Sequence, residues 1–121
     1  MWEFKFEKLV VWQKAIKYAN AVYSVTDEFP SRENFGLTSQ LQRAGVSVSS
    51  NIAEGNSRSS RADYARFIEI AYGSLMETVS QLHIALLRQF CKPDQFHQLT
   101  QDAAVIARML SGLRSSLTSD H

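Results

Sequence analysis

The chain has 121 residues and a net charge of +1, with 13 lysines and arginines against 12 aspartates and glutamates. That length predicts one domain, 1–121, and a content of 45% hydrophobic and 21% charged residues excludes a disordered chain. The charge balance excludes a strongly basic nucleic-acid module, the single Cys91 excludes an internal disulfide, and no apolar run approaches the roughly 20 residues of a membrane span.

In chain order, Trp2, Phe4 and Phe6 alternate with Glu3, Lys5 and Glu7 in a strand-like pattern. With no sheet to join, this segment is expected to be an extended arm, packed over the domain or reaching onto a neighbouring subunit. The opening MWEFKFEK lacks the basic and long apolar regions of a signal peptide, so a soluble, cytoplasmic protein is expected. Leu9, Trp12, Ile16, Ala19 and Tyr23 then share a helical face, widened by Val11, Ala15 and Val22. Phe29-Pro30 ends that first helix, because a residue before proline avoids the α region. Ser31–Asn34 is a polar turn. The second helix is predicted over Phe35–Gly55, with Gly55 as its closing residue.

Ser60 and Asp63 form a capping box for the third helix. Its stripe is Tyr64, Ile68, Ala71, Leu75, Val79, Leu82 and Leu86, extending to Phe90. Lys92-Pro93-Asp94 opens the fourth. There Phe96, Leu99, Ala103, Ile106, Leu110, Leu113 and Leu117 alternate steps of three and four, the seam of bundle packing. The tail Thr118–His121 is expected to fray. Short links between the helices predict an all-α, up-down-up-down antiparallel four-helix bundle.

The second helix has an unusual back. Leu41, Ala44, Val48 and Ile52 form its apolar stripe, yet between Leu37 and Gly55 only Arg43 and Glu54 are charged. The rest is small or uncharged, including Gln40, Gly45, Ser47, Ser49, Ser50 and Asn51. An ordinary amphipathic helix carries charge on its back, so this one is expected to pack on more than one side, and hence against a partner beyond the chain's own core. Gln40, Ser47, Ser50 and Asn51 form a neutral polar strip suited to a subunit contact or a pore lining. The small residues Gly45, Ser49 and Ala53 permit close helix approach. Arg43 and Glu54 lie about 16 Å apart along the axis, too far to pair. Each needs another partner if buried, and Glu77 on the third helix is the candidate for Arg43.

These strings resemble the family of 23S rRNA intervening-sequence proteins. The likeness runs through Phe6-Glu7-Lys8-Leu9-Val10-Val11-Trp12-Gln13-Lys14-Ala15 and Phe35-Gly36-Leu37-Thr38-Ser39-Gln40. It continues in Ser50-Asn51-Ile52-Ala53-Glu54-Gly55, Arg66-Phe67 and Gly73-Ser74-Leu75 with Glu77. The resemblance implies rings of four-helix bundles, most often homopentamers. It also implies similarity to the accessory protein of diversity-generating retroelements, which partners a reverse transcriptase and binds nucleic acid through a basic surface. Two positions depart from the pattern. Gln42-Arg43 stands where the family often has paired arginines, which removes a positive charge. Val48-Ser49 stands where a proline often follows, which leaves the second helix straighter.

The basic residues that could contact RNA or DNA are Arg58, Arg61 and Arg66 around the start of the third helix, with Arg43 nearby and Lys14 and Lys17 on the first. Repeated around a ring, a modest patch gains field and avidity. The expected subunit contact uses Gln40, Gly45, Ser47, Ser49, Ser50, Asn51 and Glu54. No catalytic set is recognisable. His83, His97 and His121 are isolated, Cys91 has no histidine at metal-ligand spacing, and no nucleophile, P-loop or dinucleotide motif occurs. The expectation is a non-enzymatic scaffold without cofactor or metal. It assembles as a homo-oligomer and contacts nucleic acid or a nucleic-acid enzyme. The competing expectation is a protein-interaction module with no nucleic-acid role.

Overall fold

The computed structural model describes residues 3–119. Four long helices carry the fold: α1 (Val10–Thr26), α2 (Leu37–Asn56), α3 (Arg61–Leu87) and α4 (Pro93–Thr118). Short 3-10 turns at Lys5–Lys8 and Ser31–Glu33 complete it. The start signals work as their chemistry requires. Ser60 Oγ accepts from Asp63 N–H at 3.0 Å to open α3, and Pro93 takes the first turn of α4. Glu33 Oε1 accepts from Leu37 N–H at 3.1 Å, placing a carboxylate at the α2 N-terminus.

Contacts between neighbouring helices pair early residues of one with late residues of the next. Gln42 Nε2 donates to Thr26 Oγ1 between α2 and α1, and Gln81 Nε2 reaches Gln40 Oε1 between α3 and α2. Asn56 at the end of α2 donates to the Tyr64 hydroxyl at the start of α3. Arg114 late in α4 meets Glu69 early in α3, while Phe96 early in α4 packs on His83 late in α3. Along the α1–α4 seam, Lys14 and Lys17 lie beside Asp102–Ile106, and Ser24 and Val25 beside Asp94–Leu99. The neighbours therefore run antiparallel, in the order α1, α2, α3, α4 around a square. The diagonal pair α1 and α3 is tied through the core by one buried hydrogen bond, Tyr18 Oη to Thr78 Oγ1 at 2.8 Å. Thr78 Oγ1 donates in turn to the Leu75 carbonyl at 2.6 Å, so Tyr18 is the donor of the cross-core bond.

The core follows the predicted stripes with local corrections. In α4, Phe96, Leu99, Ala103, Ile106 and Leu110 are buried, as their spacing requires. In α1 the buried line is Val11, Ala15, Tyr18 and Val22, whereas Ile16 and Tyr23 of the expected face are exposed. Tyr18 can occupy the centre because Thr78 satisfies its hydroxyl. The expected extended arm is instead a 3-10 turn over the described residues, and Trp2 lies outside them. Glu7 Oε1 accepts from Glu3 and Phe4 N–H, and Phe6 packs edge-on to Trp12 at 4.9 Å. Those local bonds outcompete an alternation that has no sheet to pair with.

Phe35 lies before α2 rather than in it. The third helix stops at Leu87, and Gln89 adopts a left-handed φ of 62°. Gln89 N–H bonds the Leu86 carbonyl and Phe90 N–H the Ala85 carbonyl, which is the closing motif usually built on glycine. Gly55 does not close α2; it lies inside the helix, buried against α3. A Cβ there would meet Phe67 Cβ at 2.8 Å and Tyr64 Cδ1 at 3.1 Å, so glycine is required by close approach. At Gly45 an added Cβ would sit 3.8 Å from Ala19 and Val22, an ordinary contact.

These glycines predict opposite outcomes. Gly55→Ala should lose about 1–3 kcal/mol to overpacking, and Gly45→Ala should gain about 0.5–1 kcal/mol of helix propensity. Urea denaturation of both variants checks the signs; equal effects would contradict the close α2–α3 approach. The Tyr18 phenol makes a second prediction. Burial, with a smaller contribution from Asp102, pushes its pKa up from 10.0 to about 12. The folded state therefore holds a proton that the unfolded chain releases first. That stability is intact below pH 10 and is lost between pH 10 and about 12, a loss of about 2–3 kcal/mol. Chemical denaturation across that range should show this component in the wild type and lack it in Tyr18→Phe.

Candidate interaction site

Packing explains most of the uncharged character of α2. The helix is flanked by α1 on one side and α3 on the other, so Thr38, Gly45, Ser49 and Asn56 are buried within the same chain. Gly45 packs on α1, and Ser49 Oγ turns back to the Val46 carbonyl at 3.0 Å. Both residues are corrections to the expected subunit contact, because the chain's own bundle already covers them. The helix is unbroken from Leu37 to Asn56.

A narrower outer strip remains. It begins on α2 with exposed Gln40, Arg43, Val46, Ser50 and Glu54 and continues onto α3 with exposed Ile70 and Glu77. Along the groove between them, Ser47 and Ser74 hydroxyls bond at 2.8 Å, and Asn51 Nδ2 donates to both the carbonyl and the hydroxyl of Ser47. Gln81 Nε2 bridges to Glu77 Oε2 at 3.2 Å and to Gln40 at 3.4 Å. Its own Oε1 is buried without a hydrogen-bond partner among the described residues. Arg43 forms no ion pair among the described residues, so the expected pairing with Glu77 is absent within the chain. The strip therefore combines neutral hydrogen-bonding groups, exposed Val46 and Ile70, and single charges of both signs.

Of the arginines expected around the start of α3, Arg58 and Arg66 come together over one ring, and all three are engaged within the chain. Arg58 pairs with Glu54 at 3.9 Å and Arg66 with Asp63 at 3.8 Å. Both guanidinium groups also lie over the Phe67 ring, at 4.6 and 4.7 Å from its centroid. Arg61 donates to the Ser116 carbonyl, holding the end of α4. Lys14 and Lys17 lie elsewhere, on the α1–α4 seam. At the opposite end of the bundle is a pair the sequence reading missed. Arg32 and Arg88 both lie over the Phe90 ring, at 5.7 and 5.9 Å, and neither forms an ion pair among the described residues. Phe90 itself packs on Phe29 at 5.6 Å. Phe35 and Leu87, 101% and 83% exposed, belong to the same end. Arg32 and Arg88 stand 56 residues apart, and no local sequence signal joins them.

Cys91 is buried, and burial raises its thiol pKa, which disfavours a reactive thiolate. Among the described residues no group of three or more His, Cys, Asp or Glu side chains is placed to hold a metal ion. No helix is long and apolar enough to cross a membrane.

Fold and surface together define a small antiparallel four-helix bundle whose distinctive feature is a neutral, hydrogen-bonded α2–α3 face. The chain belongs to the family described as 23S rRNA-intervening sequence protein, whose pattern matches residues 7–112. A solved structure with the same fold is that of a protein of unknown function from the S23 ribosomal protein family of Bacteroides thetaiotaomicron. It superposes with a TM-score of 0.81 at 23% sequence identity, over 91% of this chain and 100% of that one. At that identity the likeness shows the fold alone. No curated protein matches the chain.

Proposed function

We propose that this protein is a non-enzymatic scaffold that assembles into a ring of identical bundles and contacts nucleic acid, or an enzyme acting on it, from the ring. The outer α2–α3 strip carries the reading. It offers exposed Val46 and Ile70 beside hydroxyl and amide groups, with exposed Arg43 in no ion pair among the described residues. A second copy would supply apolar contact for Val46 and Ile70 and a carboxylate for Arg43. The ring, and a pentamer as its form, are what the family resemblance implies.

Nucleic-acid contact is best supported at the Phe90 end, where Arg32 and Arg88 have no carboxylate to displace. One observation favours the alternative, an assembly module with no nucleic-acid role. Arg58, Arg61 and Arg66 already have partners within the chain.

Val46→Glu and Ser50→Glu place carboxylates on exposed positions of α2. Both should keep wild-type helicity by circular dichroism and reduce the oligomer mass by light scattering. An unchanged mass in both would remove the α2–α3 strip as the subunit contact. For nucleic acid, Arg32→Glu combined with Arg88→Glu should weaken binding to single- and double-stranded RNA and DNA at low salt by tenfold or more. Wild-type binding should itself weaken steeply as salt rises. No wild-type binding at low salt, with the oligomer intact, would leave the protein-interaction reading.

A further inference from the structure

The seam between α1 and α4 holds a cavity of about 190 Å³, lined by Lys14, Lys17, Tyr18, Asp102, Val105 and Ile106. Its apolar wall is partly exposed Val105, above a floor where Ile106 and the ring of Tyr18, almost fully buried, just reach the surface. Lys14 and Lys17 are exposed and one turn apart on α1. Asp102 is half-buried and accepts from Gln98 Nε2 at 3.1 Å. Three charges thus line one opening, yet among the described residues none pairs with another. The gap left between them is where a ligand's own charge fits.

We propose that this cavity binds a small monocarboxylate with an apolar body of about six carbons. A cavity of roughly 150 Å³ takes a benzene-sized molecule, so the space suits such a body. The two ammonium groups outnumber the single carboxylate and set the sign of the ligand. Tyr18 contributes its ring and not a donor, because its hydroxyl hydrogen is committed to Thr78 inside the core. Recognition of charge therefore falls to Lys14 and Lys17, and recognition of shape to Tyr18, Val105 and Ile106. Asp102 opposes a carboxylate and limits how many negative charges the site accepts. The proposal is independent of assembly and of nucleic-acid binding.

The test is a titration of the full chain at low salt with hexanoate, acetate and 1-hexanol, followed by amide and methyl NMR shifts. Hexanoate should shift Tyr18, Val105 and Ile106 in a saturable manner and raise the melting temperature. Acetate lacks the body and hexanol lacks the charge, and each should bind at least tenfold more weakly. Lys14→Met with Lys17→Met should weaken hexanoate about tenfold and leave hexanol unchanged. Val105→Trp, at a partly exposed position, should fill the cavity and abolish hexanoate shifts while the chain stays folded. Asp102→Asn should leave binding equal or tighter. No saturable hexanoate shift, acetate binding as tightly as hexanoate, or an unchanged affinity in the double lysine variant would each overturn the proposal.

Discussion

The close approach of α2 to α3 is the constraint on which the rest of the structure depends. At one end Gly55 brings the α2 backbone against Phe67 and Tyr64, leaving no room for a Cβ. At mid-height Ser47 and Ser74 meet between the helices, joined hydroxyl to hydroxyl. At the other end Gln40 and Gln81 continue the line. Small and neutral residues are what this spacing demands, because long charged side chains would wedge the pair apart. The same residues then define what the outer surface looks like. A face built for internal fit ends up poor in charge.

The core is held to one arrangement by a different device. Apolar stripes alone can slide past one another at small cost, since aliphatic contacts are not directional. The bond from Tyr18 to Thr78 crosses the diagonal of the bundle and accepts only one register of α1 against α3. It is completed by the Leu75 carbonyl, so no polar atom of this small network is left without a partner. Where the bundle is less tightly closed, along α1 and α4, the seam opens into a cavity with unpaired charges at its mouth. The bundle is thus tight on the α2–α3 side and more open on the α1–α4 side.

Much of the fold was legible in the sequence. Leu99, Ala103, Ile106 and Leu110 mark α4, Pro93 marks its start, and Ser60 marks the start of α3, each through a local rule. Tyr18 was missed although it falls at helical spacing with Val11, Ala15 and Val22, because a hydroxyl suggests a surface position; Tyr23, placed in the core stripe instead, is exposed. Gly55 was misread because a glycine near a helix end suggests a cap, and only the packed partner, Phe67, shows that it serves a close approach. The neutral back of α2 was read as a sign of a partner beyond the chain's own core, but its two flanking partners are α1 and α3 of the same chain, which leaves the narrower strip around Val46 and Ser50 for anything else. The arginines were least legible. Whether Arg58 is engaged by Glu54, or Arg32 meets Arg88 over Phe90, depends on side-chain placement that no spacing rule encodes.

A ring of bundles requires that the α2–α3 strip be covered by another copy of the chain. The measurement that tests it most directly is the mass of the wild-type protein in solution by sedimentation velocity across a dilution series. A single species several times the mass of one chain, persisting to low concentration, is the predicted result. A species with the mass of one chain at every concentration would contradict the claim and leave the strip a solvated surface.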